Sequence, residues 1–226
     1  MKRIYIPTAS PQDWQRFLTE PEKQWRSGYS ARELAIAWEK ANGFPSEFQA
    51  GFKKIADANL QNLEMLLAIP EYQVALPGGG RASQNDLFVL ARTENQGLVA
   101  MMVEGKVAEP FGPKLSKWLQ NASKGKQQRL KYLCAELGLP DQLPGEIGYQ
   151  LLHRTASAII EAKRFNARYG MMIVHSFSAA HKWFEDYQAF LKLFGITGAV
   201  NEVVKLAERE SVSIYVGWVV GKIQAG

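Results

Sequence analysis

Two apolar segments of strand length constrain this chain more than any other feature, because only a short polar linker separates them. The segments are residues 86–92 and 98–106, and the linker ends with the turn-forming pair Gln96-Gly97. This pattern predicts an antiparallel β-hairpin.

The position of the hairpin turn determines which residues face each other. If the turn is centred at Asn95, Asp86 is directly opposite Glu104, and directly opposed Cβ atoms are about 4.5–5.5 Å apart. Lys106 lies two residues beyond Glu104 and shares its face. Two carboxylates and an ammonium group then meet at one end of the hairpin. A slip of one residue would send Asp86 to the other face, and the apolar pattern does not choose between these registers.

The rest of the chain alternates between helical and strand periodicity. Ser30 and Glu33 have the spacing of a helix N-cap and its capping-box partner, and Pro70 ends the second helix. Besides the hairpin, the predicted strands are 72–76, 170–175 and 213–220, and the predicted helices are 30–41, 45–70, 126–137, 149–165, 183–193 and 200–210. This order predicts a mixed β-sheet flanked by helices, of the α/β (α+β) class.

Length and composition favour one soluble domain. We expect it to span residues 1–226, with a core in 31–176 and residues 177–226 packed on that core. No apolar run approaches the length of about 18 residues that a membrane-spanning helix needs. Residues 1–3 do not lead into the apolar core of a signal peptide, and Cys134 is the only cysteine. A cytoplasmic protein without disulfides is therefore expected.

Several other catalytic classes lack their motifs. Residues 124–127 have neither the upstream glycine nor the hydroxyl of a phosphate-binding P-loop. The glycines at 78–80 predict a tight connection between strands rather than a phosphate cradle. The single cysteine and the three histidines lie on different elements, which excludes the usual zinc spacings. Cys134 is expected in the core.

The paired carboxylates point to divalent-metal chemistry. Opposed carboxylates destabilise a sheet unless a cation neutralises them. Mg²⁺ commonly takes one or two protein carboxylates together with waters and phosphate oxygens. Such an ion lowers the pKa of a bound water, and a nearby ammonium group adds positive charge where negative charge develops on the phosphate.

The distribution of charge suits a polyanionic partner. The net charge is +5, and residues 114–131 contain six basic side chains and no acidic one. A block of this kind fits a phosphate backbone, although a solvated surface would have the same composition. The basic residues considered for nucleic-acid contact are Lys114, Lys124, Lys126 and Arg129, with Arg81 beside Asp86.

Asp86 followed by Glu104-Gly105-Lys106, in this order of helices and strands, resembles the PD-(D/E)XK nuclease superfamily, which has the restriction-endonuclease-like fold. The resemblance covers about residues 31–176, and the whole chain also resembles a family of bacterial proteins assigned to this fold. It implies that Asp86 and Glu104 bind Mg²⁺ or Mn²⁺ and that Lys106 assists the attacking water. Asp86 follows Asn85, where many members have proline.

Helicase-associated repair nucleases of that superfamily add a Gln-x-x-x-Tyr motif, and Gln128 and Tyr132 match its spacing. The resemblance therefore implies a catalytic role for Gln128 and a nucleic-acid contact for Tyr132. Other members place an acidic residue on the first helix, and here either Glu39 or Glu64 could take that place.

The expected function is Mg²⁺-dependent hydrolysis of phosphodiester bonds in DNA. The alternative is a nucleic-acid-binding or assembly protein that keeps the fold without turnover, because a fold does not guarantee an activity. In a third hypothesis, Glu104 and Lys106 form only a structural ion pair. A homodimer is compatible with the leading hypothesis, since one small nuclease domain cuts one strand. No membrane partner is expected.

Three further sets of side chains have a structural and a functional interpretation. His153 and Arg154 could face the basic groove, but a structural hydrogen bond is favoured for His153. His175 could touch the same sheet edge or lie in the core. The closely spaced aromatic residues favour packing over base stacking; they are Trp183, Phe184, Tyr187, Phe190 and Phe194.

Overall fold

The computed structural model describes residues 8–223, which form a six-stranded mixed β-sheet with helices on both faces. The predicted fold class is confirmed. The strands are β1 (Leu63–Val74), β2 (Ser83–Thr93), β3 (Leu98–Lys106), β4 (Tyr169–Ser176), β5 (Glu202–Arg209) and β6 (Val212–Val220). The helices are α1 (Pro21–Gln24), α2 (Ser30–Ala41), α3 (Ser46–Phe52), α4 (Leu115–Trp118), α5 (Lys124–Leu137), α6 (Tyr149–Arg164) and α7 (Phe184–Lys192). Residues 1–3, on which the signal-peptide prediction depends, lie outside the described residues.

The strand order is β1-β2-β3-β4-β6-β5. β1, β2 and β3 form an antiparallel meander, and β4 pairs in parallel with both β3 and β6. The parallel connection from β3 to β4 carries α5 and α6, as a crossover of this kind requires. The carboxyl ends of β3, β4 and β6 therefore lie at the same edge of the sheet.

Each face of the sheet has its own apolar core, because alternate residues of a strand point to opposite sides. Phe88 and Met102 pack towards α5 and α6. Leu87 and Met101 pack towards α2 and α3, where Trp38 is completely buried. Asp86 and Glu104 are two residues from Phe88 and Met102, so they belong to the α6 face.

The predicted helix over 45–70 is wrong in its second half. Helix α3 ends at Phe52, and β1 begins at Leu63 and continues through Pro70. The leucines of this region fit helical spacing, but pairing with β2 decides the conformation. Proline has no N–H to donate to a neighbouring strand. Pro70 is tolerated because β1 is an edge strand, with no strand on its outer side that would need this hydrogen bond.

The predicted helix over 200–210 is also wrong, since Glu202–Arg209 is the edge strand β5. It pairs antiparallel with β6 through a two-residue turn at Glu210 and Ser211. Val203 and Leu206 are buried on this strand. The main-chain N–H and C=O groups of β5 find hydrogen-bond partners on β6, and the local sequence of β5 does not reveal this pairing.

Helix α2 begins as predicted, but its cap differs. Tyr29 is the N-cap residue, and the Glu33 side chain accepts a hydrogen bond from the Gly28 N–H at 3.1 Å. The Ser30 N–H donates to Glu109 Oε1 at 2.8 Å. This contact joins the start of α2 to the segment that follows β3. No helix within residues 8–223 combines the length and apolarity needed to cross a membrane.

Candidate functional site

The hairpin register brings Asp86 and Glu104 together. β2 and β3 pair Leu87 with Val103, so the next opposed positions are Asp86 and Glu104. This is the register that a turn centred at Asn95 predicts, and the one-residue slip is excluded. Asp86 Oδ2 also accepts the Gly105 N–H at 2.8 Å, which fixes the carboxylate against β3.

A third carboxylate, Glu71, extends this row onto β1. Pro70 pairs with Leu87 and Tyr72 with Asn85, so Glu71 lies opposite Asp86. Its backbone is left-handed, with φ of 51°, which is uncommon for a residue other than glycine. Gln84 donates a hydrogen bond to Glu71 Oε2 at 2.7 Å. Three neighbouring strands thus present Glu71, Asp86 and Glu104 side by side.

Two buried cations face the row. Lys106 Nζ lies 2.5 Å from Glu104 Oε1 and 3.2 Å from Gln150 Oε1, and it stands 4.9 Å above the Phe111 ring. Arg154, on α6, donates from Nε to Glu104 Oε2 at 2.5 Å. Its Nη2 is 3.7 Å from Asp86 Oδ1. Both Glu104 oxygens are therefore held by cations.

Burial and charge shift the pKa values of the row in different directions. Burial and the neighbouring Glu104 charge raise the pKa of Asp86 to about 7. Burial and the Asp86 charge raise the pKa of Glu71 to about 8. Burial would also raise the pKa of Glu104, but Arg154 and Lys106 outweigh it and lower that pKa to about 2. Glu104 is therefore the carboxylate of the row that stays ionised, whereas Asp86 and Glu71 bind a proton more tightly than free carboxyl groups do.

The row opens into a cavity of about 280 Å³ at the edge of the sheet. Asp86, Glu104, Lys106 and Gln150 form its floor, and the start of α2 and the segment after β3 form its walls. The Asp86 side chain keeps 20% of its surface exposed, whereas Glu104 keeps 3%. Asp86 is therefore the carboxylate of this pair that a ligand in the cavity reaches first.

His153 has a structural role, as the sequence favours. Its Nδ1 lies 2.8 Å from Ser83 Oγ, and Ser157 Oγ donates to the same Ser83 oxygen at 3.0 Å. Burial and the nearby Arg154 charge lower the pKa of His153 well below its usual value, so the ring is neutral. His175 lies in the other core, where Trp38 Nε1 donates to its Nδ1 at 3.2 Å.

Gln128 and Tyr132 do not join the carboxylates. Gln128 is an exposed residue of α5 and does not line the cavity, and Tyr132 is half-buried and hydrogen-bonded to Glu136. Gln150 and Arg154, four residues apart on α6, occupy the site instead. The sequence analysis missed Gln150; its position one helical turn before Arg154 is the signal that could have identified it.

Neither acidic residue considered for the first helix reaches the site. Glu39 accepts hydrogen bonds from Thr8 and from Trp14 Nε1. Glu64 lies on β1 rather than on a helix and pairs with Arg92 at 2.6 Å, towards the turn of the hairpin. Glu71 is the additional acidic residue of the row, and it escaped notice because the predicted strand began at Tyr72.

The predicted basic surface is partly used for internal contacts. Lys114 pairs with Asp186 at 2.6 Å, and Lys126 donates to the Trp118 carbonyl at 2.9 Å. The Arg129 guanidinium donates to three carbonyls of the β1–β2 connection, at Leu76, Pro77 and Gly79. The remaining candidates, Arg81 and Lys124, are exposed.

The glycine turn between β1 and β2 packs against α5, as expected of a tight connection. A Cβ atom on Gly78 would overlap the Gly125 carbonyl oxygen, and one on Gly125 would overlap the Gly78 carbonyl oxygen. Gly78 also has a left-handed φ of 78°. Both glycines are therefore required for the close approach of the turn to the helix.

The residues present fit a single Mg²⁺ ion on charge and donor type. Three carboxylates face two cations. Burial is the larger cause of the raised pKa values of Asp86 and Glu71, and the charge of the neighbouring carboxylate adds to it. Two carboxylates suffice when water and phosphate complete the coordination shell. Within residues 8–223, no three His, Cys, Asp or Glu side chains are already arranged as metal ligands. Glu104 would have to release one of its cation contacts.

Comparisons with known proteins identify the family without assigning an activity. Neither a curated protein nor a solved structure matches the chain. The model of a family described as a domain of unknown function (DUF6946) matches residues 7–223. This match covers nearly the whole chain, which therefore belongs to the DUF6946 family.

Proposed function

We propose that this protein hydrolyses phosphodiester bonds in nucleic acid, with DNA as the expected substrate and Mg²⁺ or Mn²⁺ as the cofactor. The observation that carries the proposal is the row Glu71–Asp86–Glu104, which the buried cations Lys106 and Arg154 face. Asp86, Glu104 and Lys106 line the cavity. Such an excess of carboxylates beside buried cations suits a site that takes up a divalent ion and a phosphate.

Asp86 and Glu104 are the residues that would hold the ion. Asp86 has the more exposed carboxylate of the two, and Glu71 lies beside it on β1. When bound, a divalent ion lowers the pKa of water and stabilises charge on a phosphoryl oxygen.

The protein's own side chains then divide the remaining tasks. Lys106 supplies a buried positive charge next to Glu104, at the place where the phosphate develops negative charge. The side-chain amide oxygen of Gln150 accepts a hydrogen bond from Lys106 Nζ and so orients the ammonium group. Arg154 holds Glu104 in place from the helix side.

A second candidate is a nucleic-acid-binding or assembly protein without turnover. The observation in its favour is that Lys106 and Arg154 already occupy both Glu104 oxygens in a buried network. Breaking a buried pair is costly, so the network could be purely structural. Such a protein would bind nucleic acid equally well in chelator and would leave it intact.

The test is metal-dependent cleavage by matched variants. Plasmid DNA and labelled oligonucleotides are incubated with wild type, Asp86→Asn, Lys106→Met and Glu94→Gln, in Mg²⁺, in Mn²⁺ and in EDTA. Glu94 is an exposed carboxylate at the turn of the same hairpin, so it controls for a change of charge. We expect cleavage by wild type and Glu94→Gln in metal only. Uncleaved substrate with every metal, or full activity of Asp86→Asn, would reject the proposal.

A further inference from the structure

Among the residues that the structure describes, the two aromatic side chains with the largest exposure lie at the cavity or beside one of its walls. Among residues 8–223, the exposed large hydrophobic side chains are Tyr29 (42%), Trp183 (36%) and Ile223 (51%). Tyr29 lines the cavity that holds Asp86 and Glu104. Trp183 donates its indole N–H to the Ala108 carbonyl at 2.8 Å, directly before the wall residues Glu109 and Pro110.

Glu109 is hydrogen-bonded to the two backbone segments that lie next to the rings. Its Oε1 accepts the N–H of Ser30, the residue after Tyr29, at 2.8 Å. Its Oε2 accepts the N–H of Val107 at 2.9 Å and that of Ala108 at 3.0 Å. These bonds hold the start of α2 and the segment after β3, to which Trp183 is hydrogen-bonded, against the same carboxylate. Burial would raise the pKa of Glu109, but the backbone hydrogen bonds outweigh it and lower that pKa.

The conformation of Trp183 is unusual for so large a side chain. Its φ is 70°, in the left-handed region, and His181 two residues earlier has φ of 49°. The other aromatic residues that follow it on α7 pack inwards, and Tyr187 and Phe190 are completely buried. The predicted packing role therefore fits these residues, whereas Trp183 is turned to solvent and fixed there by its bond to Ala108.

We propose, on the basis of the proposed function, that the substrate is single-stranded and that Tyr29 and Trp183 stack on its bases while a backbone phosphate enters the cavity. Rigid exposed aromatic rings bind unpaired bases of any sequence, because every base has a π face. In a duplex, the faces of internal bases are covered by their neighbours. The site floor is also recessed, with Glu104 3% and Lys106 4% exposed, which suits one narrow strand.

Positive charge beside both rings agrees with a polyanionic strand. Lys23 lines the cavity together with Tyr29; its side chain is 71% exposed and forms a solvent-exposed ion pair with Glu20 at 2.8 Å, which a phosphate can replace. Lys182 precedes Trp183 and is exposed. Stacking rings next to cations that contact the backbone are the usual combination for binding single strands.

The test measures binding without cleavage. A fluorescein-labelled dT12 strand, a strand of the same length without bases and a blunt duplex are titrated with protein in EDTA. Tyr29→Ala and Trp183→Ala should each weaken dT12 binding about fivefold or more. For both variants, the dissociation constant for the strand without bases should stay within about twofold of the wild-type value. Tyr29→Phe keeps its ring and should bind dT12 nearly as wild type does. Trp183→Phe keeps a ring but loses the indole N–H bond to Ala108, so its affinity should lie between those of wild type and Trp183→Ala.

The outcomes separate this inference from the proposed function. If Tyr29→Ala binds dT12 as wild type does, or if the strand without bases binds as tightly as dT12, base stacking is rejected even when metal-dependent cleavage is present. If the rings are required for dT12 binding and no metal supports cleavage, the single-strand site stands and the hydrolase proposal fails. Thermal melting verifies that each variant is folded. If Trp183→Ala does not fold, Trp183→Phe and the Tyr29 variants still test the proposal.

Discussion

Arg154 on α6 and Glu104 on β3 form a buried ion pair, with Nε 2.5 Å from Oε2 and side-chain exposures of 7% and 3%. The same guanidinium reaches Asp86 at 3.7 Å and Ser83 Oγ at 3.4 Å. One side chain therefore connects the crossover helix to both strands of the hairpin. Buried ions are tolerated only when they are paired, so the geometry of the carboxylates depends on this arginine.

Removing Arg154 should destabilise the protein strongly. Arg154→Ala leaves Glu104 with Lys106 alone, and we expect a loss of ~3 kcal/mol in the free energy of unfolding. The matched control is Lys163→Ala on the same helix. Lys163 also contacts two carboxylates but keeps 32% of its side chain exposed, so its loss should cost less than ~1 kcal/mol. Urea denaturation measures both values, and equal losses would contradict the prediction.

Asp86 should make the metal-free protein less stable as the pH rises. Its pKa is raised from 3.8 to about 7 on folding, so the folded state holds the proton more tightly. The resulting stabilisation is fully present below pH 3.8 and is lost as the pH rises through about 7. In EDTA, Asp86→Asn should already be more stable than wild type at pH ~5, because the unfolded aspartate is ionised there, and its advantage should grow by a further ~3 kcal/mol by pH ~8.5. A difference that does not change with pH would argue against the raised pKa.

Mg²⁺ should stabilise the protein, and more so at higher pH. A carboxylate ligand has to be deprotonated, and the pKa of Asp86 is about 7. We expect the rise in melting temperature caused by millimolar Mg²⁺ to be larger at pH ~8 than at pH ~6. Glu94→Gln should keep this response and Asp86→Asn should lose it. An equal response in both variants would place the ion elsewhere.

The close approach of the β1–β2 connection to α5 should not tolerate a side chain. Gly125→Ala places a methyl group against the Gly78 carbonyl, and we expect a loss of ~2 kcal/mol or more in stability. Gly80→Ala in the same connection is the control, since a Cβ there meets nothing within 4 Å. Thermal melting compares the two variants. A neutral Gly125→Ala would show that the connection can move away from the helix.

The central hairpin is the part of the fold and site that local sequence specifies best. A turn centred at Asn95 predicts the register in which Asp86 faces Glu104, but the apolar pattern does not exclude a slip of one residue. The pairing of Leu87 with Val103 excludes it. Lys106 follows because side chains alternate along a strand. For these three residues, the information lies within about twenty positions of the chain.

The local sequence of the two edge strands does not determine that they are strands rather than helices. The apolar residues of β1 and β5 fit a helix as well as a strand, and only pairing with β2 and β6 makes the strand more stable. Glu71 enters the row through the β1–β2 pairing, which its own neighbours in sequence do not reveal.

The sequence by itself predicted the hairpin and singled out Asp86, Glu104 and Lys106, whereas the pairing of β2 with β3 decided the register that brings them together. The tertiary structure alone decided that Arg154 and Gln150, rather than Gln128, complete the site. The physical reason is that α6 packs over β3, and this packing depends on the whole apolar core between them. Contacts between residues about fifty positions apart are stabilised by that core, so no short stretch of sequence contains them.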